Sequence, residues 1–467
     1  MKGKGINAIL LSLVFLMSFM LVGQINGNTN VQMIIPDVTT DEYAVEFFTE
    51  FDAGTGSGTL PTLEPFWTDI VNTERVEETG EDVYVAVLDT GLLPQWDFFF
   101  SEANIAADLG VGFTHDIFFD SSGNLVVGPL KQVGFVTELA SGHGTHVTST
   151  IVGFNLNNQV WVDGIAPEAT IIPVRVLDAW DLGGGLRLSG GFNDMIAAGI
   201  MYVADLADEL DGKIIINMSL GGPNPSQLIE DAINYAISKG VIVVASAGNS
   251  GFNGMGYPGA FSQVISVGAG GWTDMFTNWW DTGAPEQLNV PDSLGNEMQL
   301  YLEDFSSRPN PLLGQTTDLL DVTAPGAWVV GPFKSSFREN TGYYFLSGTS
   351  MAAPHISGIA ALVAEEEEDV TQAQMEILLK IAASGEDFNA FRGFPFIGND
   401  VKVAFPFIPG GFYTVSWGLG EFGTGFIDAE VVMELAHELD DDDDGFNDLI
   451  ADLLEKLEDF YEDLFED

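Results

Sequence analysis

Three short runs, far apart in a chain of 467 residues, carry the side chains that a hydroxyl nucleophile needs. Val85-Ala-Val-Leu-Asp89-Thr-Gly91 ends an apolar run on a carboxylate, and Ser141-Gly-His143-Gly-Thr-His146-Val147 sets an imidazole between glycines. Gly348-Thr-Ser350-Met-Ala-Ala-Pro-His355 sets a hydroxyl just ahead of an apolar helical stretch. A serine hydroxyl attacks a carbonyl only when a base removes its proton, and imidazole titrates near neutral pH. The imidazolium so formed needs a carboxylate to orient and stabilise it. A helix N-terminus adds backbone N–H groups that can face a developing oxyanion. Singly, these residues read as a turn Asp, a structural His and an N-cap Ser. Jointly they read as an acyl-transfer triad of Asp89, His143 and Ser350, with His146 and His355 structural.

Such a triad must be assembled by elements that bring distant segments to one edge. Val83–Leu88, Thr170–Val176, Lys213–Met218, Val241–Ala245 and Val264–Val267 are short, rich in Val and Ile, and bounded by Gly, Asp or Asn. That is the pattern of strands buried on both faces. Helical patterns lie at Phe192–Leu210 and at Ser226–Lys239, the second stopped by Gly240. Further helices are expected at 351–364 and at 371–384, with Thr371 as cap. The fold class expected is α/β, a doubly wound and mostly parallel sheet flanked by helices, with ligands at the carboxyl ends of strands. Trp272–Phe305 and Asn389–Trp417 read as insertions.

The motifs resemble the subtilisin family of serine peptidases. The order Asp, His, Ser is that family's, and the octet from Gly348 and the run from His143 match its signatures. The resemblance covers roughly residues 62–437, including Gly423-Thr-Gly-Phe-Ile-Asp-Ala-Glu430. It implies that Asn249, in Ala245-Ser-Ala-Gly-Asn249, supplies the side-chain half of an oxyanion hole, with the Ser350 N–H as the other half. It also implies that Asn217-Met-Ser219-Leu-Gly221-Gly222 pairs with substrate backbone, opposite a wall formed by 183–185 and 188–191. Ser219, Leu220, Gly221, Ala247 and Gly248 would then border an apolar pocket, favouring a large apolar residue before the cleaved bond. The substrates expected are proteins or peptides. The rival reading is a catalytically idle peptidase-fold surface or binding protein.

The resemblance also implies a structural Ca²⁺ held by Asp97 and Asn158 with loop carbonyls. A second calcium pattern is visible in Asp440-x-Asp442-x-Asp444-Gly445-x-x-Asp448, although Ala451 stands where an EF-hand has Glu. A solvated acidic run is the plainer account of it.

Composition bounds the rest. Lys2 and Lys4, then Ala8 to Val22, then small and polar residues to Asn28, read as a secretory signal over 1–27. An uncleaved anchor is the alternative, but the apolar stretch is short and lacks a charged stop. No stable membrane span is expected after cleavage, and the chain is expected to be secreted. Residues 28–61 read as an irregular short pro-segment or linker, smaller than a module with its own core. Residues 438–467 form an acidic tail. Phe446, Ile450, Leu453, Leu457, Phe460 and Leu464 make a narrow apolar seam there, suited to a helix and to a protein contact. There is no cysteine, which excludes thiolate chemistry. The net charge of −54 repels nucleic acid and anionic membranes. It suits a saline or cation-rich medium, with simple solubility or an acidic habitat as alternatives.

Overall fold

A computed structural model describes residues 33–36, 45–48, 60, 62–273, 300–334, 341–384, 398–404, 412–418 and 420–440. Seven strands run parallel, in the order Val322–Pro325, Ile265–Trp272, Ile242–Ser246, Ile214–Met218, Tyr84–Asp89, Thr170–Arg175, Val111–Thr114. Leu300–Leu302 and Lys131–Val133 add antiparallel strands, on Ile265–Trp272 and on Val111–Thr114. This is the expected α/β sheet, mostly parallel and covered on both faces.

The alternation of side chains accounts for that cover. Val85 and Val87 enter one core and Ala86 and Leu88 the other; Ile215 opposes Ile214 and Ile216 in the same way. The central strands are therefore apolar on both sides, because both of their faces are dry. One face is covered by helices Asn193–Leu206 and Gln227–Ser238. The second of these buries Ile229, Ala232, Ile233 and Ala236, a helical stripe. It stops where Gly240 turns to φ +84° and Val241 N–H bonds back to Ala236 O, the reversal that glycine permits. The opposite face carries His143–Val152, Thr349–Glu366 and Gln372–Ser384. Thr371 caps the last by a reciprocal pair: Gln374 N–H donates to its Oγ1, and its own N–H donates to Gln374 Oε1 at 2.7 Å.

Three expectations change. Residues 28–60 were expected to be irregular, yet Met33–Pro36 and Val45–Phe48 are strands. Their ladders come from elsewhere in the chain, which local composition does not reveal. The stretch Trp272–Phe305 is rooted in the sheet at both ends, by Trp272 and by Leu300–Leu302. The final described helix, Ala429–Asp440, runs past the expected boundary at 437. In Asn389–Trp417 the described parts form a hairpin, Gly398–Ala404 with Phe412–Trp417. The signal at 1–27 and the tail from 441 lie outside the described residues. No described helix is long and apolar enough to cross a membrane.

Candidate active site

Asp89 closes the central strand Tyr84–Asp89 and is fully buried. The chain then turns at Gly91, with φ +75°; a Cβ there would lie 1.9 Å from Phe135 O. Thr90 fastens the next element. Its Oγ1 donates to Ser141 O at 3.0 Å and accepts from Gly144 N–H at 2.9 Å. Gly144 lets the helix touch the strand end, since a Cβ would meet Gly91 O at 2.5 Å. His143, the first residue of that helix, thereby lies against the carboxylate: its Nδ1 is 2.8 Å from both Asp89 oxygens. Thr90 N–H holds Asp89 Oδ1 at 2.6 Å. Among the described residues His143 Nε2 is buried with no hydrogen-bond partner.

Ser350 sits in the first turn of the buried helix Thr349–Glu366, which packs on the His143 helix. Its Oγ donates to Ser219 O at 3.3 Å. The structure thus joins Asp89 to His143 directly, and leaves the Ser350 hydroxyl on a carbonyl instead of on His143.

Asn249 is pinned by the residue before the serine. Its Oδ1 accepts from Thr349 N–H at 2.9 Å and from Thr349 Oγ1 at 3.0 Å. The planar amide then presents Nδ2 on its other side, with donor hydrogens that suit an anion. The Ser219 hydroxyl, near the same segments, donates to Ser350 O at 2.8 Å. Leu220 and Ala247 are fully buried, and a Cβ on Gly248 would meet Ser307 Oγ at 2.9 Å. The loop at Gly256 and Tyr257, which sequence reasoning missed, joins these segments. Gly256 N–H bonds Ala247 O, and Gly222 pairs with Tyr257 through two bonds of 2.9 and 2.8 Å.

The two expected cleft walls are filled from within the chain. Met33–Pro36 lies as the middle strand between Arg187–Phe192 and Leu220–Gly221, antiparallel to both. Ile34 stands opposite Gly191, Ile35 opposite Gly221 and Pro36 opposite Leu220. Val45–Phe48 pairs with Gly342–Leu346, the strand that leads to Ser350.

Two further buried histidines, His146 and His355, stay uncharged at neutral pH. Burial, helped by the neighbouring His143, pushes His146 down to about 3, and burial pushes His355 down to about 3. Both make structural bonds, His146 to Val329 O and His355 to Met351 O.

Members of the family in question often bind structural calcium. Asp97 and Asn158, the residues expected to hold such an ion, lie on segments that Asn155 joins. Asp97 is exposed, and Asn158 Oδ1 accepts from Asn155 Nδ2 at 2.9 Å. Asn155 also donates to Phe98 O at 3.0 Å, and Tyr343 Oη holds Asn157 N–H at 2.9 Å. Asp440 ends the last helix, while Asp442, Asp444 and Asp448 lie outside the described residues.

Comparison with known proteins adds to this geometry. The subtilase family pattern matches residues 80–396. M-protease of Shouchella clausii is 32% identical over 309 residues, 66% of this chain and 60% of that one. Subtilisin Savinase of Lederbergia lenta is 32% identical over 66% of this chain and 85% of its own length. The chain thus spans well under two thirds of some relatives and most of others. Among solved structures, fervidolysin from Fervidobacterium pennivorans, a keratinolytic enzyme related to subtilisin, shares the fold. It has a TM-score of 0.50 at 22% identity, covering 79% of this chain and 45% of that one. This chain belongs to the subtilase family.

Proposed function

We propose that the protein is a secreted serine endopeptidase, and that Ser350 attacks the scissile carbonyl. The observation that carries this reading is the buried Asp89–His143 pair beside the helix that bears Ser350. Asp89 accepts the Nδ1 proton, which leaves Nε2 as the lone-pair nitrogen and the only one able to receive the serine proton. The hydroxyl reaches it by turning from Ser219 O. His143 then returns the proton to the departing amine, and water repeats the cycle on the acyl-enzyme. Asn249 Nδ2 and backbone N–H groups of the helix start stabilise the oxyanion. Asn249→Leu should lower kcat by roughly 10²–10³-fold with little change in KM. An effect confined to KM would show that Asn249 only binds substrate.

Substrate adds as a strand between Leu188–Gly191 and Leu220–Gly221, with apolar residues preferred before the cleaved bond. A peptide panel that demanded Arg or Lys there would overturn this preference. The strand Met33–Pro36 supports the binding mode, since an apolar segment already forms both ladders. In the intact chain, 28–61 is a short pro-segment that keeps substrate out, held by Met33–Pro36 on Arg187–Phe192 and Leu220–Gly221 and by Val45–Phe48 on Gly342–Leu346. Pro36 has no N–H to donate, so the grip is incomplete and reversible. In a Ser350→Ala chain, which cannot cut itself, amides at 189–192 and 219–222 should exchange at least about tenfold more slowly than with Ile34→Pro and Ile35→Pro added. Equal exchange would remove the segment from the cleft.

The second reading, an idle binding protein, is favoured by one observation: the Ser350 hydroxyl bonds to Ser219 O, not to His143. Active-site labelling separates the two.

A further inference from the structure

The helix Thr349–Glu366 contains Pro354, four residues after Ser350. Proline has no N–H, so the Ser350 carbonyl lacks the donor that a regular helix would give it. A buried carbonyl in that state must find another partner. Ser219 provides it: Oγ donates to Ser350 O at 2.8 Å. Ser219 Oγ in turn accepts from Asn217 Nδ2 at 3.1 Å, and Asn217 Oδ1 accepts from Ser357 Oγ at 3.0 Å. Ser357 lies two turns further along the same helix. All four polar residues are fully buried. The bonds close a ring that leaves the helix at Ser350, crosses to the strand end and returns to the helix.

We infer that Asn217, Ser219 and Ser357 are positioning residues. Through the Ser350 carbonyl they fix the first helical turn relative to the strand end, and Pro354 creates the need for them. The ring touches no reacting atom. It sets where the hydroxyl starts, beside Ser219 O, and how far it must turn to reach His143. The inference rests on the reading of Ser350 as nucleophile.

The test is kinetic, on the full chain, with active sites counted by fluorophosphonate so that unfolded molecules do not enter kcat. Ser219→Ala should lower kcat about ten- to a hundredfold with KM within about twofold, the scale of a misplaced reacting group. Ser219→Thr, which keeps the hydroxyl, should stay within about threefold of the parent. The discriminating variant is Ser219→Ala with Pro354→Ala. Alanine returns an N–H at 354, the helix can satisfy the Ser350 carbonyl itself, and kcat should recover at least about tenfold over Ser219→Ala. A merely structural loss would not be mended by that change. If Ser219→Ala stays within about twofold of the parent, or the double variant gains nothing, the inference is overturned. If Ser219→Ala does not fold, an active double variant supports the inference and an inactive one overturns it. A parent that fails to label overturns the nucleophile assignment instead.

Discussion

Ser350→Ala is expected to lower kcat for a peptide anilide by on the order of 10⁶-fold, the loss that removing the nucleophile causes in subtilisins. The substitution deletes one oxygen from a buried helix turn. Among the described residues the only bond that oxygen is seen to make is a long one to Ser219 O, so the stability cost should stay near 1 kcal/mol. The helix itself is held by its apolar faces, where Met351, Ala352, Ile356 and Ile359 are fully buried. The activity that remains should reflect substrate binding and oxyanion stabilisation by the rest of the site. Paired kinetics and thermal melts check this. A folded Ser350→Ala chain that retains a tenth of parental activity would place the nucleophile elsewhere.

The second large effect is expected from Asp89→Asn, a loss of about 10⁴-fold in kcat with the fold retained. The reason lies in the neighbours of the carboxylate. Thr90 N–H donates to Oδ1 at 2.6 Å, and an asparagine would keep its oxygen there. Its NH₂ would then face His143 Nδ1, which now sits 2.8 Å from the carboxylate. Two donors cannot share that contact, so Nδ1 becomes the acceptor and the proton moves to Nε2. An imidazole protonated at Nε2 cannot take the serine proton. The imidazolium would also lose its buried counter-charge. A variant within tenfold of the parent would mean that Asp89 does not set the tautomer of His143.

How far the sequence led depended on whether a signal was local. Strands such as Ile214–Met218 announce themselves because both faces are buried and all positions but Asn217 are apolar. Val111–Thr114 and Val322–Pro325 do not, since the first contains Gly112 and the second ends in Thr, Ala and Pro. Ile265–Trp272 reads from sequence as ending at Val267, five residues early, because Gly268, Gly270 and Gly271 break its apolar run. Gly270 is small for a reason that lies across the sheet: a Cβ would meet Tyr301 O at 2.6 Å.

Residue types and their order pointed to Asp89, His143 and Ser350, and the family resemblance pointed to Asn249. The bonds that orient them were not legible. Thr349 holds Asn249 from 100 residues away, and Ser219 reaches Ser350 across 131. Pro354 was visible as part of the octet, but its consequence for the Ser350 carbonyl needs the position of Ser219. The strand Met33–Pro36 was missed because the cleft supplies both of its ladders. At Asp97 and Asn158, family likeness suggests an ion, but the Asn155–Asn158 bond beside them was not legible. Likeness in one segment does not fix the partners of the next.

The central claim is that Ser350 is a hydroxyl made nucleophilic by His143 and Asp89. Fluorophosphonate labelling of the full chain, with the modified residue mapped by peptide mass, tests it most directly. The account predicts a single adduct on Ser350, formed far more slowly in Asp89→Asn and not at all in Ser350→Ala. A folded chain that takes no label, or takes it at another serine, would contradict the account.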